Sequence, residues 1–283
     1  MVMIQSAVVV FDIDGVVRDV GNSYRRALAD TVEYLTAGAY RPSQQDIDGL
    51  KAEGIWNNDW EASQEFVYRY FEAHKLADRA AIADSTQAIV SPDPTGRGSI
   101  GVDYDRLVAF FQSRYRGTDP VNWNGYICEE PLLLEPDYLR LLTEAGIQWG
   151  FFSGATRGSA TYVLEKRLGL QSPVLVAMED APGKPDPTGL FRTVQQLDTA
   201  NANLPVFYVG DTVADMYTVQ RARDQQAERS WVAVGVLPPH VQVTEERSQE
   251  YATVLEKAGA DVVFWNVQEL IPDKILKLLA NAR

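Results

Sequence analysis

The sequence predicts an α/β protein: a Rossmann-like parallel sheet covered by helices, interrupted by one all-helical segment. Short apolar runs recur at Val8–Phe11, Ile147–Phe152, Val174–Met178, Pro205–Val209 and Trp231–Val236. Runs of that length without polar alternation are strands buried on both faces. From residue 135 onward they alternate with helical spacing, the pattern that builds a parallel sheet. From residue 21 to 131 the helical spacing stands alone. The expected division is a discontinuous sheet domain, residues 1–20 and 132–283, with a helical domain of residues 21–131 inserted in it.

The first strand runs into Asp12-Ile13-Asp14-Gly15. Ligands of open parallel sheets bind beyond the carboxyl ends of strands, and residues i and i+2 point the same way, so both acids can address one site. After Asp19 the spacing turns helical, with Asn22 as a cap and Tyr24, Ala27, Leu28, Thr31, Val32 and Leu35 on one face. Pro42-Ser43 opens a second helix through Leu50, which Gly54 breaks. Trp56-Asn57-Asn58-Asp59-Trp60 reads as a loop leading into a helix that carries Phe66, Val67, Tyr70, Phe71 and His74. His74 is then a packing or surface histidine. Residues 91–101 are rich in Pro and Gly and read as a loop with no strand before it, which argues against a phosphate cradle there. Another helix carries Leu107, Val108, Phe111 and Tyr115.

In the second half, a helix through Leu142 leads to the strand ending at Ser153-Gly154, and a helix from Ser159 to Leu168 leads to Val174–Met178. Gly183-Lys184-Pro185-Asp186-Pro187 forms the next loop. A helix to Leu197 and the strand Pro205–Val209 follow, ending at Gly210-Asp211 with Asp215 one turn later. The chain continues through strand Trp231–Val236, a helix at Tyr251–Ala258, strand Asp261–Trp265 and a helix from Glu269 to Ala280.

Composition narrows the function. With 283 residues the chain can bury one large core or two smaller ones, and 46% hydrophobic with 23% charged residues is ordinary for a globular protein. A formal charge of −13 argues against nucleic-acid or anionic-membrane partners, both of which need basic surfaces. No apolar run approaches the roughly 18 residues of a membrane span and no signal-like start is present, so a cytoplasmic protein is expected. Cys128 is the only cysteine, which excludes an intrachain disulfide and a thiolate metal cluster.

Taken singly, the polar strand ends admit plain readings: Ser153 and Asp211 as helix caps, Asp215 as a first-turn acid, Lys184 as a solvated lysine. Together, in order and spacing, they resemble the four motifs of the haloacid dehalogenase superfamily of Mg-dependent phosphotransferases. Apolar strand then D-x-D-G with a later Asp is matched by Asp12, Asp14, Gly15 and Asp19; the strand-end Ser by Ser153 with Gly154; G-K-P-x-P by Gly183 to Pro187; G-D-x-x-x-D by Gly210, Asp211 and Asp215. Val16 and Val20 depart mildly from the usual Thr and Ser. The helical insert resembles the C1 cap of subfamily IA.

The resemblance implies a phosphatase acting on a small phosphorylated metabolite through an aspartyl-phosphate. It implies Asp12 as nucleophile, Asp14 as general acid and base, Lys184 as the cation beside both, and Ser153 and Gly154 as phosphate donors. It further implies Mg²⁺ held by Asp12, Asp14, Asp211 and Asp215. The residue types suit that chemistry: a carboxylate nucleophile divides hydrolysis into two steps, Mg²⁺ takes oxygen ligands, and a cation must offset the repulsion between Asp12 and a dianionic ester. A phosphomutase of the β-phosphoglucomutase type is the alternative, with a non-enzymatic binding protein behind it. Substrate selection is expected from the insert, through Trp56, Asn57, Asn58, Asp59 and Trp60, and from Arg18 as a contact to substrate or hinge. Glu179 and Asp180 read as solvated acids, and His240 follows a strand end from which it could face the site. The exposed aromatics of the insert leave monomer and homodimer both open.

Overall fold

The computed structural model describes residues 7–53, 56, 58–74, 90–91, 101–200 and 202–281. The chain divides into two compact units, Met1–Asp19 with Pro131–Arg283, and Val20–Glu130.

Strand β1, Ala7–Phe11, is buried at every residue, as its run of β-branched valines requires. The chain then turns tightly, with the Val17 and Arg18 amides donating to the Ile13 carbonyl. Gly15 has φ +76° there, and a Cβ at that position would lie 2.0 Å from Asp211 Oδ2. Only glycine fits.

The intervening unit contains α1 (Tyr24–Leu35), α2 (Gln44–Ala52), α3 (Asp59–Ala73) and α4 (Tyr104–Tyr115), then a 3₁₀ turn at Tyr126–Glu129. Leu28, Val32 and Leu35 of α1, Phe66, Val67 and Phe71 of α3, and Leu107, Phe111 and Tyr115 of α4 are among its buried residues. Ser43 caps α2 through a reciprocal box with Asp46, which fixes its start two residues after Pro42. One expectation is corrected: the unit is not wholly helical. Two-residue strands β2 (Val90–Ser91) and β3 (Gly101–Val102) pair antiparallel at the two ends of the Pro- and Gly-rich stretch, so a strand does precede that loop. Strands so short carry no readable alternation. Residues 92–100 of the loop lie outside the described residues.

The other unit resumes with α5 (Pro136–Glu144), β4 (Ile147–Phe152) and α6 (Arg157–Thr161), which continues as a π-helical turn over Tyr162–Arg167. Then come β5 (Leu175–Val176), α7 (Thr188–Leu197), β6 (Val206–Gly210), α8 (Val213–Gln225), β7 (Trp231–Val236), α9 (Glu245–Lys257), β8 (Val262–Phe264) and α10 (Pro272–Asn281). The six strands form one parallel sheet in the order β5-β4-β1-β6-β7-β8. The strand expected over Val174–Met178 contracts to two residues because β5 lies at the sheet edge and pairs only with β4. Val8, Val10, Phe152, Tyr208, Leu190, Val194, Met216 and Val219 share one buried cluster. Burial of each large apolar side chain contributes about 1.5–3 kcal/mol. Among the described residues no helix is long and apolar enough to cross a membrane.

Strand β1 is flanked by β4 and β6, so the three carboxyl ends that carry Asp12, Ser153 and Asp211 are neighbours. That is the crevice where open parallel sheets bind ligands.

Candidate active site

Each residue is placed by the end of an element. Asp12 is the first residue beyond β1, its amide donating to Val209, and Ser153 the first beyond β4, its amide donating to Val176. The Ser153 hydroxyl accepts from the Ala155 amide at 3.1 Å, while Gly154 is exposed. Asp211 follows β6, and Asp215 sits in the first turn of α8. There Thr212 is the N-cap, and its amide and hydroxyl both donate to Asp215 Oδ2, at 3.0 and 2.6 Å. A Cβ at Gly210 would lie 2.3 Å from Asp215 Cγ, so glycine is required for this close approach too.

Lys184, in the loop between β5 and α7, ties the cluster together. Its Nζ donates to Asp215 Oδ1 at 2.6 Å and lies 2.9 Å from Asp12 Oδ2. The aromatic rings of Phe152 and Tyr208 lie 5.5 Å from the same ammonium. The Tyr208 hydroxyl also donates to Asp215 Oδ1, at 3.0 Å. Asp215 therefore accepts four hydrogen bonds from the protein, which is the capacity of a carboxylate. Asp12 differs: its Oδ1 is buried and has no partner among the described residues.

Carboxyl oxygens of Asp12, Asp211 and Asp215 lie within 4.8 Å of one another, all in buried side chains. Burial pushes Asp12 up to about 7, Lys184 working against the shift and the charges of Asp215 and Asp14 adding to it. Asp211 is pushed well above the carboxylate range by burial and then by Asp215 and Asp12. Burial disfavours the Lys184 charge, but the two carboxylates beside it outweigh burial and hold it protonated. One ammonium facing three buried acids leaves the cluster short of positive charge. The unpartnered Asp12 oxygen and the all-oxygen donor set fit a hard divalent cation such as Mg²⁺.

Asp14 makes a separate arrangement. Its Oδ1 accepts from Arg18 Nε at 2.7 Å and lies 2.6 Å from Arg18 Nη2. Arg18, expected as a contact to substrate or hinge, is completely buried and its guanidinium lies on Asp14. Sequence position beyond a turn carries no information on burial.

The residues expected to select substrate belong to the other unit. From Asn58 on they open α3 instead of forming a loop: Asn58 Oδ1 caps the Trp60 amide at 2.9 Å, and Asp59 pairs with Lys51 at 2.7 Å. The Trp56 indole donates to Glu53 at 2.9 Å. Asn57 lies outside the described residues. Glu179 and Asp180 are not merely solvated, since they accept from the Arg157 and Ala177 amides, at 2.8 and 2.7 Å, and tie the two loops together. His240 sits half-buried in a 3₁₀ turn at Pro239–Val241, His74 ends α3 stacked on Tyr70, and Cys128 is a free thiol.

Three residues of the site were not anticipated: Tyr208, Thr212 and Tyr251, whose hydroxyl donates to the Asp211 carbonyl at 2.9 Å. Thr212 was readable, because T-x-x-D is a capping box. Tyr208 shares a strand face with Gly210, which alternation alone could have shown.

A sequence model described as a haloacid dehalogenase-like hydrolase matches residues 7–223. The chain is 28% identical over 259 residues to an imidazoleglycerol-phosphate dehydratase from Phytophthora nicotianae, a match covering 89% of this chain and 48% of that protein. The chain thus spans about half the length of that curated relative. Among solved structures it is similar to a phosphonoacetaldehyde hydrolase-like protein from Oleispira antarctica (TM-score 0.62, 18% identity, 98% and 94% of the two chains). It is also similar to the phosphatase Tt82 from Thermococcus thioreducens (TM-score 0.59, 21% identity, 81% and 92%). At these identities the structures show the fold alone. The family match covers most of the chain, and the chain belongs to the haloacid dehalogenase-like hydrolases.

Proposed function

We propose that this haloacid dehalogenase-like hydrolase is a phosphatase that removes phosphate from a small metabolite through an aspartyl-phosphate on Asp12. The observation that carries the reading is Asp12 Oδ1, without a partner among the described residues and buried beside a lysine held by Asp215, which Tyr208 holds in turn.

One carboxylate oxygen of Asp12 attacks phosphorus, and the bond to the ester oxygen breaks. Asp14 gives its proton to the departing alkoxide, so that the alcohol leaves neutral. Asp14 then takes a proton from water as that water attacks the same phosphorus, the acyl-phosphate bond breaks toward Asp12, and inorganic phosphate is released. Such acid–base assistance is worth about 10² to 10⁴ in rate. Lys184 offsets charge on Asp12 and on the phosphoryl oxygens, while the Ser153 hydroxyl and Gly154 amide donate to those oxygens. Asp12, Asp211 and the Asp14 carbonyl would hold Mg²⁺, with Asp215 acting through Lys184 because its own oxygens are engaged. When bound, the cation supplies charge neutralisation and phosphate orientation.

The unit Val20–Glu130 serves as the cap. The substrate is a small polar ester: a sugar phosphate, phosphoglycolate, or an imidazole-bearing ester such as histidinol phosphate, for which the named relative gives a reason to look. Trp60→Ala should change kcat/KM between esters while sparing metal affinity, and unchanged selectivity would remove that residue from substrate choice.

The test is phosphate release from such a panel, with Mg²⁺ or EDTA, by the wild type and Asp12→Asn. Turnover should need the metal and fall on the order of 10⁴-fold or more in the variant. Metal-independent turnover, or an active Asp12→Asn, would sink the mechanism. Bisphosphate-dependent isomerisation without phosphate release would point to the mutase.

A further inference from the structure

We infer that Arg18 is a positioning residue for proton transfer: its buried guanidinium fixes Asp14 so that Oδ2 is the oxygen that gives and takes the proton. The inference rests on the phosphatase reading above. Arg18 Nε donates to Asp14 Oδ1 at 2.7 Å, and Nη2 lies 2.6 Å from the same oxygen as an ion pair. That oxygen is committed as an acceptor, and a proton placed on it would point at the Nε–H group. Oδ2 accepts from neither donor, and the Asp14 side chain keeps 29% of its exposure while that of Arg18 keeps none.

The backbone holds the pair in register. The Arg18 amide donates to Ile13 at 3.1 Å, its carbonyl accepts from Gly15 at 2.9 Å, and Arg18 bridges both Asp14 and Leu132. A guanidinium taken wholly out of water is costly unless its partners are well aligned. The planar guanidinium, with Nε bonded to Oδ1 and Nη2 paired beside it, sets one carboxylate orientation, which a lysine on its flexible stem does not. General acids lose much of their effect when misplaced by a fraction of an ångström to an ångström, so the orientation Arg18 imposes bears directly on rate.

A residue acting through Asp14 should matter where a proton must be moved and not elsewhere. The probes are p-nitrophenyl phosphate, whose leaving group departs without a proton, and an alkyl phosphate from the panel. With Mg²⁺, Arg18→Lys and Arg18→Gln should lower kcat on the alkyl ester by on the order of 10²-fold, with KM little changed and Lys less damaging than Gln. The pre-steady-state burst of nitrophenolate, one per site, should keep its rate, while the slower phase that hydrolyses the aspartyl-phosphate falls. In an Asp14→Asn background, Arg18→Lys should cost nothing further in either phase. The Mg²⁺-dependent rise in melting temperature should survive in Arg18→Lys, which carries the test if Arg18→Gln does not fold. Equal losses in burst and alkyl turnover, or losses additive with Asp14→Asn, would overturn the role of Arg18 alone. A wild type that releases phosphate from neither ester would overturn the phosphatase reading, and this inference with it.

Discussion

In the unit Val20–Glu130, Glu53 lies at the surface and is pulled down to about 2 by hydrogen bonds from Arg69 and the Trp56 indole. In the other unit, Asp12 lies in the interior and is pushed up to about 7 by burial, although Lys184 is 2.9 Å away. Both acids face a basic side chain, yet their carboxyls move in opposite directions. The difference is solvent: water screens and solvates the Glu53 pair, whereas Asp12 has lost its hydration and gained acidic neighbours. The same contrast holds for the pairs Arg25–Asp48 and Lys51–Asp59, which tie helices of one unit together, against Lys184 between Asp12 and Asp215 in the other. An ion pair marks a candidate site where desolvation leaves charge uncompensated, not wherever opposite charges meet.

That contrast can be broken most severely at Lys184. Lys184→Met leaves two buried carboxylates without their ammonium, and chemical denaturation should show a loss of about 3–5 kcal/mol along with activity. A loss under 1 kcal/mol would mean the cluster carries little net charge.

The second prediction concerns pH. Folded Asp12 keeps its proton to about 7, whereas an unfolded aspartate releases it near 3.8. Between those values the folded state holds the extra proton, so stability falls as pH rises through the window. Without divalent cation, the melting temperature should drop by several degrees from pH 5 to pH 8. Mg²⁺ should remove most of that drop and Asp12→Asn should lessen it, Asp211 contributing the remainder; a stability that rises with pH across this window would contradict the shift.

Smaller effects belong to the other unit. Asn58→Ala removes the cap of α3 and should cost about 1 kcal/mol in thermal unfolding. Arg25→Gln breaks the pair with Asp48 and should change stability by less than about 1 kcal/mol, leaving phosphate release as it was. If Arg25→Gln proved as damaging as Lys184→Met, the contrast between the units would fail.

The sheet unit was more legible than the helical one for a physical reason. A parallel strand buried on both faces must be apolar throughout, so Val8–Phe11 and Trp231–Val236 declare themselves, and polar residues at their ends stand out. In the helical unit Asn58, Asp59 and Trp60 looked like loop residues because capping and substrate contact draw on the same residue types. The strand pair at Val90–Ser91 and Gly101–Val102 was invisible because two residues show no period. Tyr208 passed for core because its ring is core; only its hydroxyl, on Asp215, belongs to the site.

The sequence by itself determined the alternation of strands and helices, the placing of Asp12, Ser153, Lys184, Asp211 and Asp215 at or beyond strand ends, and through them the family. Those features depend on period and local spacing, which a linear chain carries. Only the tertiary structure decided that Asp215 spends both oxygens on Lys184, Tyr208 and Thr212, that one oxygen of Asp12 is left without a partner among the described residues, and that Arg18 is buried against Asp14. Those outcomes depend on which atoms lose water and which donors meet them, and that is settled when the ends of β1, β4 and β6 come together.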